Sequence, residues 1–254
     1  MPALVAVVVL VCWSPPLIAQ QGSPSDQQPM LNELRQIRQL LDVLVARTPS
    51  APVLRPTGAG SVPDANVTLT RLSGYALGSP EALVTVVEFT DLQCPFCRQF
   101  HTTVFEQLKT QFIDTGRVRF ITRDFPLEQL HPLAMLAARA SRCAGEQDRF
   151  WEMRHAILVA NDVLSRVVLS RLARDLELDT ARFDACTDDS RRFADLIRED
   201  MVEGRAVGIT GTPSFVIGRT SKGILNGARF AGAPPYLVFE GKLLELLAAP
   251  TVER

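Results

Sequence analysis

Two cysteines separated by two residues, Cys94-Pro95-Phe96-Cys97, stand where an apolar β-branched run gives way to helical spacing, and this junction constrains the chain more than any other feature. The run Leu83-Val84-Thr85-Val86-Val87-Glu88-Phe89 predicts a strand. The apolar spacing from Phe96 to Phe112, closed by Gly116, predicts a helix. With Cys94 as the N-cap, Pro95 takes the first helical position, where its fixed φ suits the helix and its missing N–H costs nothing. Cys97 then falls at the third helical position, and the two sulfurs can meet across the first turn without moving the backbone. Unpaired N–H groups and the helix dipole favour a thiolate at Cys94, and such sites hold thiols at pKa values of about 3.5–7.5 rather than about 8.5. The spacing permits a reversible dithiol–disulfide pair.

A C-x-x-C pair can also be half of a zinc site, which needs four ligands. The remaining candidates are single cysteines and the isolated His101, His131 and His155, with no second close pair. Cys97 and His101 have a ligand-like gap, yet a helix aims both at one metal only if Cys94 abandons its cap position. Haem attachment requires His directly after Cys97, and Arg98 is there. No metal and no cofactor are expected. His101 is expected to be a surface or packing residue, and His131, ahead of Pro132, to cap a helix start.

Beyond the cysteines, a second strand is predicted over Val118 to Thr122, completing a β-α-β order. Between His131 and Val207 the spacing is helical, with few strand signals, and short apolar strands return at Ser214 to Ile217 and Ile224 to Leu225. An amphipathic helix over about 235–248 closes the chain. Strands at both ends enclosing a helical block imply an α/β domain over 66–250 with a helical insertion over about 130–207.

Ahead of that domain, Ala3 to Trp13 is unbroken apolar sequence followed by Ser14-Pro15-Pro16, which reads as a signal peptide or N-terminal anchor over 1–20. No Lys or Arg precedes that run, and Leu17 occupies the place where a cut after Ala19 would want a small residue. Residues 30–46 carry Met30, Leu34, Ile37, Leu41 and Leu44 at coiled-coil-like intervals, a short amphipathic helix that either joins a homo-oligomer or packs on its own domain. Residues 47–65 are Pro- and Gly-rich and read as a linker. Lys and Arg number 27 against 28 Asp and Glu, a net charge of -1, so no field draws the chain to nucleic acid.

From about Leu77 to Leu247 the chain resembles the DsbA-like thiol-disulfide oxidoreductases, a thioredoxin-fold family of the bacterial envelope. The resemblance rests on Gly78-Ser79-Pro80-Glu81-Ala82, on Val87-Glu88-Phe89-Thr90-Asp91-Leu92-Gln93-Cys94-Pro95-Phe96-Cys97, and on Asp124-Phe125-Pro126-Leu127 followed by His131-Pro132. Phe150-Trp151 and Gly208-Ile209-Thr210-Gly211-Thr212-Pro213-Ser214-Phe215 complete it. It implies a thioredoxin-like α/β fold with an inserted helical subdomain, and a cis Thr212-Pro213 peptide against the Cys94-Cys97 pair, with the Thr212 backbone open to a substrate strand. Glu88, six residues before Cys94, matches an acidic residue of similar proteins. It is either a proton relay to Cys97 or a structural carboxylate whose bonds are satisfied.

Cys143 and Cys186 both fall in the insertion. In an exported protein they are expected to pair as a structural disulfide, and otherwise to stay as two buried thiols. The resemblance implies an enzyme, periplasmic or otherwise extracytoplasmic, that exchanges disulfides with exported proteins and is reset by a separate redox partner; an uncleaved apolar run at 1–20 would tether it at its N-terminus. A disulfide isomerase or reductase oligomerised through 30–46, and a chaperone or binding module with an inert disulfide, are the alternatives. Pro95-Phe96 lacks the His that strongly oxidising relatives place before the second cysteine, so a less oxidising potential is expected.

Overall fold

A computed structural model describes residues 65–249 except position 161. The segments 1–20 and 30–46, and all but the last residue of 47–65, lie outside the described residues.

Six strands form one mixed sheet. They are β1 (Ala65–Leu69), β2 (Tyr75–Leu77), β3 (Val84–Thr90), β4 (Val118–Asp124), β5 (Ser214–Ser221) and β6 (Ile224–Ala231), in the order β1-β6-β5-β3-β4-β2. Only the β3–β4 pair is parallel. The crossover between them is helix α1 (residues 95–113), α-helical at its start and wound into π-type turns at His101–Phe105 and Lys109–Ile113. The strand β3, read as 83–89 from its β-branched run, spans Val84–Thr90 with every residue buried. Its alternation divides the core. Val84 and Val86 pack with Phe100, Phe105, Phe215 and Phe239 on one face of the sheet, and Val87 and Phe89 pack with Ile121, Phe125 and Ile197 on the other. Glu88 has the parity of Val84 and Val86, which directs it to the α1 face.

Between β4 and β5 lie five helices: α2 (Ala134–Gly145), α3 (Phe150–Val159), α4 (Arg166–Asp175), α5 (Thr180–Asp188) and α6 (Ala194–Ala206). Helix α7 (Tyr236–Ala248) follows β6. Much of the insertion closes around its own core, which includes Ala137, Met153, Ile157, Leu169 and Phe183 and takes in Cys94 and Cys97. A disulfide joins Cys143 of α2 to Cys186 of α5, with the Cα atoms 5.9 Å apart.

Helix α6 crosses the opposite face so closely that a Cβ added at Gly204 would sit 2.9 Å from the Phe89 ring. A buried ionic seam reinforces that contact. Arg142 reaches Asp124 and Asp200 at 2.6 Å each, and Arg123 Nε donates to Asp200 at 2.8 Å, so α2, α6 and β4 share charges. Burial raises the Asp124 carboxyl to about 6, against the pull of Arg142.

Strands β1 and β2 were not expected. β1 is half-exposed at a sheet edge and β2 has three residues, so neither carries a strong apolar alternation. A second difference concerns His131. It does not cap α2, whose N-cap is Leu133 with no side-chain bond; its Nδ1 instead pairs at 2.8 Å with the buried carboxylate of Asp91. That partner lies forty residues away in sequence, beyond the reach of a local capping argument.

Candidate active site

Cys94 is the N-cap of α1, extended at φ -70° and ψ 126°, and Pro95 begins the helix. Cys94 is buried, and its Sγ lies 3.4 Å from the carbonyl oxygen of Thr212, on the cis Thr212-Pro213 peptide. Cys97, one turn on, is fully buried, and the Asp91 backbone N–H donates to its sulfur at 3.5 Å. Both carry free thiols.

The two thiols are driven in opposite directions. A hydrogen bond from the Cys97 thiol holds Cys94 down at about 5, with backbone N–H groups of the first helical turn adding to it and partial burial opposing it. Burial pushes the Cys97 thiol well above its ordinary value, and the charges of Cys94 and Glu88 push the same way. The result is one thiolate facing the cis peptide and one protonated thiol behind it.

Beneath the pair, Glu88 is completely buried. Its Oε2 accepts from Arg154 Nη2 at 2.6 Å and from Thr122 Oγ1 at 3.1 Å, while Oε1 has no hydrogen-bond partner. Arg154 comes from α3, 1% exposed at its side chain, so the insertion supplies the counter-charge for the sheet. Its guanidinium also packs over the rings of Phe105 and Trp151. The two readings of Glu88 are therefore not exclusive: one oxygen is paired structurally and the other is left free.

The loop that carries Cys94 is held from outside. Asp91 Oδ2 accepts from the Leu127 N–H at 2.9 Å and contacts His131, while Oδ1 accepts from the Gln93 N–H at 2.8 Å. Gln93 in turn accepts from the Leu133 N–H at 2.9 Å. Phe96, between the cysteines, is 61% exposed and presents an apolar ring to solvent.

Arg154, Asp91 and Thr122 were missed by sequence reasoning. For Arg154 a signal existed: a carboxylate inside an apolar strand demands a cation, although nothing local says which. His101, read as a surface or packing residue, is buried and bonded on both ring nitrogens. Among the described residues, His101, Glu106 and His155 form a cluster with ligand atoms within 4.8 Å of one another. The donor set argues against a metal there. Arg154 Nη1 donates to His101 Nδ1 at 3.1 Å, whereas a histidine bound to metal through Nε2 needs a proton on Nδ1 and an acceptor opposite it.

The thioredoxin family model matches residues 70–223, and the chain belongs to that family. Its structure is similar to that of α-DsbA1 from Wolbachia pipientis, with a TM-score of 0.60 at 27% identity, over 68% of this chain and 89% of that one. A thioredoxin-like oxidoreductase from Silicibacter pomeroyi gives a TM-score of 0.58 at 26% identity, over 69% of this chain and 93% of the other. In sequence the chain is 40% identical over 153 residues to the Na(+)/H(+) antiporter NhaA 3 of Salinispora tropica, which covers 60% of this chain and 23% of the antiporter. The chain thus spans about a quarter of the length of such relatives.

Proposed function

We propose that the chain is a protein thiol-disulfide oxidoreductase working through Cys94 and Cys97. The observation that carries this reading is the splitting of two adjacent thiols into a thiolate held at about 5 and a buried partner held well above its ordinary value. In the oxidised pair, a substrate thiolate attacks Cys94 Sγ, the Cys94–Cys97 bond breaks, and Cys97 leaves as a thiolate that takes up a proton. A second substrate thiolate then attacks the substrate sulfur of the mixed disulfide, which forms the substrate disulfide and expels the Cys94 thiolate. Two electrons pass to the enzyme, and a redox partner must remove them. Glu88, through its unpartnered Oε1, is the group we assign to exchange the proton with Cys97. The Thr212 carbonyl and Pro213 form the surface against which a substrate strand would align.

An extracytoplasmic site of action is part of the proposal. It is supported by the apolar run Ala3 to Trp13 and by the Cys143–Cys186 disulfide, a bond typical of oxidising compartments. Among the described residues no helix is long and apolar enough to cross a membrane. Because the antiporter match is confined to a fraction of those proteins, ion transport is not assigned to this chain.

The test is the equilibrium reduction potential of the Cys94–Cys97 pair against glutathione. A value near about -120 mV would mark an oxidase, and one near about -200 mV or lower would move the reading to isomerase or reductase work. A pair that does not equilibrate with glutathione at all would leave only a binding module.

A further inference from the structure

The insertion does more than cover the cysteines, because a chain of side chains runs from its surface to the carboxylate beneath them. Arg154 occupies the middle. Its Nη2 donates to Glu88 and its Nη1 to His101 Nδ1, at 2.6 and 3.1 Å. Arginine only donates, so His101 Nδ1 must accept and the ring proton must sit on Nε2. That Nε2–H then donates to His155 Nδ1 at 2.8 Å, which leaves the outer His155 nitrogen as the one bearing a proton. Both histidines are fixed in one tautomer by a single guanidinium. Burial and the Arg154 charge hold His101 down at about 3, so it remains neutral and keeps its accepting lone pair. His101 also opens a π-type turn of α1, a distortion common at functional sites. His101 and His155 line an apolar cavity of about 370 Å³ with Phe105 and Trp151, so the far end of the chain opens toward solvent.

We propose that Arg154, braced by the His101–His155 pair, is the positioning residue for proton exchange at Cys97: it holds the Glu88 carboxylate by Oε2 and leaves Oε1 as the free acceptor. The inference rests on the thiol-exchange reading above. The step concerned is collapse of a mixed disulfide at Cys94. The Cys97 thiol gives its proton to Glu88, and the Cys97 sulfur attacks Cys94 Sγ. The Cys94–Cys97 bond forms, and the departing thiolate takes a proton from water while Glu88 returns its own to solvent. Without Arg154 the buried Glu88 loses both its counter-charge and the grip on Oε2 that keeps Oε1 free to accept. The titratable and charged groups facing this cluster are Cys97, His101 and Glu106 from α1, Arg154 and His155 from α3, and Asp124 of β4, whose carboxyl feels the Arg154 charge, with Lys109 and Glu152 at the cavity rim and Thr122 of β4 a further polar partner.

The experiment forms the glutathione mixed disulfide on Cys94 and follows glutathione release by rapid mixing between pH 4 and 8, in the wild type, Arg154→Met, Arg154→Lys and His155→Ala. Arg154→Met is expected to slow release by at least ~10-fold at neutral pH, since a positioned acid–base group contributes about 10²–10⁴-fold, and to move the midpoint of the pH profile. Lysine keeps the charge but lacks the fork that grips Glu88 and His101 together, so Arg154→Lys should recover only part of the rate. His155→Ala, at the solvent end, should slow release by about two- to fivefold, the smallest loss of the series, because it removes a single hydrogen bond of the brace. Should Arg154→Met fail to fold, as judged by near-ultraviolet circular dichroism, Arg154→Lys and His155→Ala decide the matter. Wild-type rates and an unmoved pH profile in the folded variants would overturn the proposal while leaving thiol exchange standing. A wild type that forms no mixed disulfide would overturn both.

Discussion

The two cysteine pairs share one hydrophobic core and have opposite chemistry. Cys94 and Cys97 open a helix, whereas Cys143 and Cys186 each lie in the last turn of theirs. At the opening turn, free N–H groups and the positive end of the helix dipole stabilise a thiolate; in a last turn the dipole has the other sign and the N–H groups are already bonded. The reactive pair is close in sequence, with its outer sulfur against a backbone carbonyl. The other pair closes a separation of 43 residues between two helices, so its worth lies in restricting the unfolded chain. Residue type is the same in both, and position on the helix separates the pair we propose as the redox centre from the staple.

The strongest way to break this contrast is to remove each pair in turn. Cys94→Ser is expected to abolish exchange with glutathione disulfide while leaving the thermal stability of the reduced protein nearly unchanged below about pH 5, where the Cys94 thiolate contributes nothing. Cys143→Ser with Cys186→Ser should do the reverse: a loss of about 4 kcal/mol in denaturant unfolding, from the loop-entropy relation for this separation, with the Cys94–Cys97 potential kept. A large shift of that potential in the double variant would mean that the two pairs are coupled through their common core.

The same contrast shows what can be read from sequence. The N-cap position of Cys94, the strand before it and the closing helix were legible because each is a local pattern: a proline at the first helical position, a β-branched run, an amphipathic repeat. The α/β class with a helical insertion followed from their order, and the thioredoxin-like fold from the resemblance carried by the motifs. Strand β2 was not legible, since Tyr75–Leu77 is held in place mainly by pairing with β4 and has too few residues for any period. Arg154 was hidden for another reason. On α3 it sits among residues that read as an ordinary amphipathic turn, and its partner Glu88 is 66 residues earlier. The same holds for Asp91 with His131 and for the ionic seam of Arg123, Asp124, Arg142 and Asp200. Charges buried between distant elements leave only half a signal, a polar residue where an apolar one is expected.

A smaller effect sharpens the contrast through pH. Depression of Cys94 from 9.0 to about 5 stabilises the folded reduced protein fully above about 9, and that stabilisation is lost as pH falls through about 5. Cys97 is shifted the other way, so its contribution opposes stability only above the ordinary thiol range. The oxidised protein has neither titration. The melting temperature of the reduced form, measured relative to the oxidised form, should therefore rise between pH 5 and pH 9, and thiolate absorbance near 240 nm should titrate with a midpoint near 5. The Cys143–Cys186 disulfide contributes no such slope. A flat difference across this range would show that the helix start does not hold a thiolate.

The smallest expected effect tests how the reactive pair is held. The His131 side chain is partly exposed and pairs with Asp91, a buried carboxylate that also accepts two backbone N–H groups. His131→Ala removes one hydrogen bond of three and leaves the carboxylate otherwise satisfied, so the stability loss should be about 1 kcal/mol. The Asp91 N–H donates to the Cys97 sulfur, so loosening this loop should reach Cys97 before Cys94. Release of glutathione from the mixed disulfide, which needs Cys97, should slow a few-fold, while alkylation of Cys94 by iodoacetamide proceeds at the wild-type rate. Equal changes in both would assign His131 to the frame of the whole site. A change confined to Cys97 would mean that the β3–α1 loop, fastened by His131 from the edge of the insertion, holds the second sulfur independently of the first.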